Sequence, residues 1–198
     1  MWRDEIQAWL IARDSANPFD IVRNTRYEGH PWLWHLLLWI PSRFTWNPAA
    51  MQALHLAIAA AGAWVLLRHA PFPLPIRLGL IFGYFFAYEW AVIARNYAIG
   101  ALLLFLFAVQ YRRGWRNAVL MGAALGAAGL TNVFALIGVL VLIPTLTIEY
   151  AVAWAGHYRE ARRWWPRALV GLALALAGAA AGLRGVIPPK DSGFATGW

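Results

Sequence analysis

Polar and apolar positions divide the chain at about residue 47. Beyond that point, apolar runs of helical length follow one another with short polar breaks, at 48–67, 76–93, 97–110, 118–130, 133–155 and 168–183. A bilayer core of about 30 Å takes about 20 helical residues, so the pattern predicts six membrane spans, the third and fourth of them short. Gly122, Gly126 and Gly129, and again Gly171, Gly178 and Gly182, recur at spacings that suit close helix packing in lipid. Residues 1–47 read differently. Apolar positions at Ile6, Trp9 and Leu10, with Arg13 beside them, predict an amphipathic helix over 5–15 lying along a membrane surface. Asn17-Pro18 ends it. Pro31 at a first helical position opens a second helix over 32–44, too short for a comfortable span and kinked at Pro41. The expected fold class is all-α: a polytopic transmembrane helix bundle with an N-terminal outer-face segment of juxtamembrane amphipathic helices. The expected organisation is an outer loop over 1–47, a membrane domain over 48–184, and the start of a further outer loop over 185–198.

Composition strengthens the membrane reading. Hydrophobic residues make up 61% of the chain and charged residues 13%, about half the charge of a soluble domain, and the mean hydropathy is +0.52. Thirteen Trp and seven Tyr suit the headgroup level of a bilayer. The net charge of +8 would otherwise raise nucleic acid as a partner. Here the arginines lie in loops between apolar runs, which points to the membrane and not to nucleic acid. With no Cys there is no disulfide framework and no thiolate chemistry. Met1-Trp2-Arg3-Asp4-Glu5 offers no apolar stretch of a secretory signal.

The arginines also orient the chain. Arg68 and Arg77, then Arg112, Arg113 and Arg116, then Arg159, Arg162, Arg163 and Arg167 occupy alternate loops, opposed nearby only by Glu160. The intervening turns at 94–96 and 131–132 are nearly uncharged. By the positive-inside rule the arginine loops are cytoplasmic, and the N-terminal segment and the Pro188-Pro189-Lys190-Asp191 tail lie outside. An outside N-terminus with no span before it predicts a fragment, lacking an N-terminal span and a C-terminal part.

Chemistry concentrates in that outer segment, where five of the nine carboxylates lie: Asp4, Glu5, Asp14, Asp20 and Glu28. Asp4-Glu5 could supply a general base or ligate a divalent cation; as acids in a first turn they also suit helix capping. In Tyr27-Glu28-Gly29-His30-Pro31, Gly29 permits a tight turn, and His30 could bind metal, move protons or simply cap the turn. In Ala94-Arg95-Asn96-Tyr97, Arg95 could hold a lipid phosphate or snorkel to interfacial water. Glu89, inside the second span and about one turn below Arg95, is either functional or a structural partner of Arg95. Glu149 reads as interfacial on the cytoplasmic side, His35 and His55 as packed or interfacial, and His69 and His157 as members of the arginine loops.

These features together resemble the membrane glycosyltransferases of the GT-C superfamily, in the bacterial branch related to protein O-mannosyltransferases, aminoarabinose transferases and RgtA/B/C/D-like proteins. Three segments carry the resemblance, in order: Arg3-Asp4-Glu5-Ile6-Gln7-Ala8-Trp9-Leu10, Gly29-His30-Pro31-Trp32-Leu33-Trp34, and Ala94-Arg95-Asn96-Tyr97-Ala98-Ile99. In that family an acidic pair opens the first outer loop, a His-Pro-Pro-Leu-like motif starts a juxtamembrane helix, and an Arg-x-Tyr motif begins a span. The chain departs in carrying Trp32 at the second proline and in having no first span. The resemblance implies a polyprenyl-phosphate-linked sugar donor at the outer face of a bacterial inner membrane, and a glycan, lipid or protein acceptor. It makes Asp4 the base that deprotonates the acceptor hydroxyl, with inversion at the anomeric carbon. Arg95 meets the lipid phosphate, with Glu5 in the catalytic pair. Glu28, His30, Glu89 and Tyr97 line the substrate site, and Asp4, Glu5 and His30 are the residues that would hold a divalent metal. Two rivals are a transporter or flippase of lipid-linked intermediates working through Glu89 and Arg95, and a non-catalytic membrane scaffold.

Overall fold

The computed structural model of the chain describes residues 3–156, 158–187 and 189, without the side chains of 158–160. His157, Arg159, Glu160, Pro188 and Lys190-Asp191, named above, fall outside the described residues or side chains. Among the described residues there is no strand. The helices are α1 (Arg3–Asp14), α2 (Pro18–Asn24), α3 (Leu33–Ser42), α4 (Ala49–His69), α5 (Leu74–Ile81), α6 (Tyr97–Tyr111), α7 (Ala118–Gly129), α8 (Val133–Gly156) and α9 (Tyr158–Val186). Short 3₁₀ turns at Thr25–Tyr27 and Trp115–Asn117 and a π-helical turn at Phe85–Glu89 connect them.

Three helices are long and apolar enough to cross a membrane: α4, α8, and α9 over Ala161–Val186. The chain is a membrane protein by this measure, and α8 leaves Phe134, Ile137, Val141, Ile148 and Val152 exposed for lipid to cover. The other expected spans differ from the sequence pattern. The second is not one helix: α5 stops after eight residues, Gly83 interrupts at a position of poor helix propensity, and the chain resumes as the π-turn. There the Trp90 N–H bonds the Phe85 carbonyl at 2.9 Å, and Phe86 stacks on Phe105 while Trp90 meets both rings edge-on. Helices α6 and α7, at 15 and 12 residues, rise only about 22 and 18 Å, short of the hydrocarbon thickness. The sixth apolar run is part of a longer helix, since α9 begins at Tyr158 and continues through Pro166.

The glycine stripes bring α7 and α9 together backbone to backbone. A Cβ on Gly126 would fall 2.5 Å from the Leu174 carbonyl oxygen, and one on Gly122 would overlap the backbone of Gly171. Residues larger than glycine would force these helices apart, so the stripes are packing surfaces.

In the N-terminal segment, α1 buries Glu5, Ala8, Trp9 and Ala12, while Leu10 stays exposed. The buried face is therefore rotated from the expected Ile6–Trp9–Leu10–Arg13 stripe. It is built from small alanines around Trp9, and from a carboxylate that finds a buried donor, which hydrophobicity alone does not reveal. Helix α1 ends at Asp14, and Asn17 caps α2, its Oδ1 accepting from the N–H groups of Phe19 (2.9 Å) and Asp20 (3.1 Å), with Pro18 as the first helical residue. Gly29 adopts φ +67°, the left-handed turn its type suits. Trp32 is the N-cap of α3, so Pro31 precedes that helix and does not open it; Pro41 lies in its last turn. The Leu33 N–H reaches the Leu130 carbonyl at 3.0 Å, tying α3 to the α7–α8 turn. At the opposite end of the bundle, Arg112 donates to the His69 carbonyl at 2.6 Å and Arg77 to the Leu67 carbonyl at 2.7 Å. Arg113 and Arg116 line a cleft with Trp164 there, and Tyr111 bonds Glu149 at 3.0 Å. The described arginine loops thus gather at one end, and the N-terminal segment, whose five carboxylates are matched by five arginines, packs on the other.

Candidate functional site

Neighbouring residues on a helix point about 100° apart, so Asp4 and Glu5 in the first turn of α1 cannot share one task. Asp4 keeps an exposed side chain and pairs with Arg95. Glu5 is 2% exposed, and its Oε1 accepts the Ala94 N–H at 2.6 Å. The two acids therefore grip consecutive residues of one turn, 89 to 91 positions along the chain. Glu5 anchors the backbone, and the anchored backbone presents the Arg95 guanidinium to Asp4. Glu5 holds this turn through its hydrogen bond to Ala94 and does not border the polar cavity.

One turn further along α1, Gln7 donates its Nε2 to both oxygens of Glu28, at 2.9 and 2.8 Å. That contact sets the 25–31 turn beside α1. His30 follows, exposed at the edge of the turn; desolvation by the groups packed around it pushes its pKa below the ordinary histidine value, and Glu28 opposes this more weakly. Asp4, Gln7, Glu28, His30, Arg95 and Tyr97 border a single polar cavity of about 250 Å³. Trp34 and His35 of α3 and Asn96 complete its wall.

Below Arg95 the floor is built from a buried polar pair. Asn132 donates its Nδ2 to the Asn96 carbonyl at 3.1 Å and accepts the Ala135 N–H on Oδ1 at 2.9 Å, which caps α8. Gly100 makes room for it: a Cβ there would stand 2.6 Å from Asn132 Nδ2. Arg95 and Tyr97 also border a second, mostly apolar groove of about 540 Å³, where Trp90, Leu104, Phe105 and Phe134 face them. Polar cavity and apolar groove thus meet at the same two residues.

The structure brings Asp4, Glu28, His30, Arg95 and Tyr97 together, as the ordered motifs suggested. Glu89 stands apart. It accepts the Tyr84 hydroxyl at 3.0 Å and lines the apolar groove, so it is not the ion partner of Arg95; Asp4 is. The expected one-turn spacing from Glu89 to Arg95 fails because the π-turn and the following turns replace a continuous helix. Of the residues expected to hold a divalent metal, Asp4 pairs with Arg95 and Glu5 accepts the Ala94 N–H, and no group of three His, Asp or Glu side chains that could hold a metal occurs among the described residues. Four wall residues escaped the sequence reading. Gln7 was legible in principle, since it sits three positions from Asp4 on the same exposed side of α1. Trp34, His35 and Asn96 carried no signal beyond lying in or beside the motifs. Comparison with protein-family models, with curated proteins and with solved structures finds no match for the chain.

Proposed function

We propose that the chain is a membrane glycosyltransferase of GT-C type, moving a sugar from a polyprenyl-phosphate donor to an acceptor hydroxyl in the polar cavity. One observation carries this reading: a carboxylate, a guanidinium and further polar groups from three distant motifs share a cavity that opens at Arg95 and Tyr97 into an apolar groove. A lipid-linked sugar has that same division, with a polar sugar, a charged phosphate at the junction and a long hydrocarbon tail. Sugar in the cavity, phosphate at Arg95 and tail along Trp90, Leu104, Phe105 and Phe134 satisfies each part.

The chemistry follows from the Asp4–Arg95 pair. With no phosphate bound, each neutralises the other. A donor phosphate takes over Arg95 through charge-assisted hydrogen bonds, and Asp4 is released as a carboxylate beside the acceptor. The acceptor oxygen attacks the anomeric carbon from the face opposite the phosphate, giving inversion. Its proton passes to Asp4. The bond from the anomeric carbon to phosphate oxygen breaks, and Arg95 meets the charge that develops on the leaving oxygen. No step is routed through a metal. In this reading the arginine-rich end faces the cytoplasm, by the positive-inside rule, and the site faces the outer side of a bacterial inner membrane.

The test is transfer of radiolabelled sugar from polyprenyl-phosphate donors by the chain in membranes, with Asp4→Asn alongside. The expected result is transfer by the wild type and loss of it in the variant, with insertion unchanged. A variant at the wild-type rate removes Asp4 from the mechanism.

A further inference from the structure

We propose that His35 is a ligand-binding residue of the polar cavity, hydrogen-bonding a hydroxyl of a neutral sugar ring. The proposal rests on the glycosyltransferase reading for the source of that sugar. His35 lies near the start of α3, 5% exposed, and borders the cavity. Its Nδ1 has no hydrogen-bond partner among the described residues. That atom has no surface open to the cavity, so a ligand hydroxyl meets the part of the imidazole that borders it.

The chemistry of the ring selects the ligand class. Burial pushes the His35 pKa down to about 4, with His30 adding a smaller push, so the imidazole is neutral near pH 7. A neutral imidazole presents one N–H donor and one bare nitrogen, and a hydroxyl likewise donates and accepts. An anion would be served better by a cation, and Arg95 in the same lining fills that role. Trp34 adds an indole on the same wall, with its own Nε1–H unpaired. An amphipathic ring beside polar donors suits a sugar, whose faces are apolar and whose edges are hydroxylated. Gln7 and Glu28 supply further acceptors across the cavity.

Histidine ring nitrogens labelled with ¹⁵N report on this directly. The whole chain in nanodiscs is titrated with methyl hexosides of gluco, manno and galacto configuration. The expected result is a saturable shift of the His35 ring signals with at least one hexoside, those signals being identified by their loss in His35→Gln. His69, whose carbonyl accepts from Arg112 at the far end of the bundle, serves as the unmoved control. In the transfer assay, His35→Leu is expected to raise KM at least tenfold for a hexose donor. That penalty should vanish for the one deoxy donor lacking the bonded hydroxyl, a selectivity that a merely structural histidine would not produce. Shifts without any transfer by the wild type would leave the sugar site standing and defeat the transferase reading. Absence of a His35 shift with every hexoside, or an equal penalty across all deoxy donors, overturns the proposal.

Discussion

Replacing Asp4 by Asn should strengthen binding of a polyprenyl phosphate while abolishing transfer. Asp4 and Arg95 form an ion pair whose side chains are 58% and 37% exposed. Charges 4 Å apart attract by about 4 kcal/mol at an effective dielectric constant of 20 and by about 1 kcal/mol in water. An exposed pair also spends side-chain entropy, and measured values fall at roughly 0.2–1 kcal/mol. A phosphate that must displace Asp4 from Arg95 forfeits that amount, so removing the competitor should lower Kd up to about fivefold. The gain should shrink at high salt, because the pair is accessible to screening ions. Loss of the base should cost about 10²–10⁴ in transfer rate. Both effects are measurable on one preparation in nanodiscs, by titration with undecaprenyl phosphate at low and high salt and by single-turnover transfer. Unchanged or weaker binding in Asp4→Asn would refute the exchange of partners at Arg95, whatever happened to the rate.

Glu5→Ala leaves the buried Ala94 N–H unpaired and should destabilise by about 1–3 kcal/mol, whereas Glu5→Gln keeps an acceptor and should cost less; thermal unfolding in detergent compares them. Gly126→Leu should separate α7 from α9 and lose the folded species in size exclusion, while Gly138→Ala, which meets nothing within 4 Å, should keep it. Glu89→Gln should leave sugar transfer near the wild-type level, because Glu89 pairs with Tyr84 and not with Arg95; loss of transfer would return Glu89 to the site. The His35 pKa is lowered in the folded state, so between the ordinary value of 6.5 and about 4 the unfolded chain holds more protons. Stability contributed by the neutral ring is complete above about pH 6.5 and falls by roughly 3 kcal/mol as pH drops to about 4. His35→Gln should flatten that acid limb in a pH series of unfolding.

Several features were open to reading along the chain because they depend on local composition and spacing. Apolar runs at 48–67 and 133–155 matched α4 and α8 within two residues, since a long uninterrupted run has no competing local conformation. Glycine at position 29 announced its turn, and the stripes on α7 and α9 announced their contact. The alternation of arginine loops correctly foretold which loops share an end. The run at 76–93 misled because average hydropathy does not register where Gly83 and a crowd of rings turn an α-helix into a π-turn. The face of α1 misled because burial of Glu5 depends on a backbone N–H supplied by residue 94.

The sequence by itself determined an all-helical membrane protein, since the length and apolar composition of a membrane-crossing helix are local properties. It also named Asp4, Glu28, His30, Arg95 and Tyr97 as residues with chemistry to offer. Only the tertiary structure decided how they divide the work. Asp4 and Glu5, one position apart, separate into an exposed ion pair and a buried anchor because the helix turns about 100° between them. Arg95 takes Asp4 as partner in place of Glu89 because the chain breaks between 89 and 95. His35 becomes part of the cavity wall through the packing of α3 beside α1, a contact between elements that no spacing along the chain encodes.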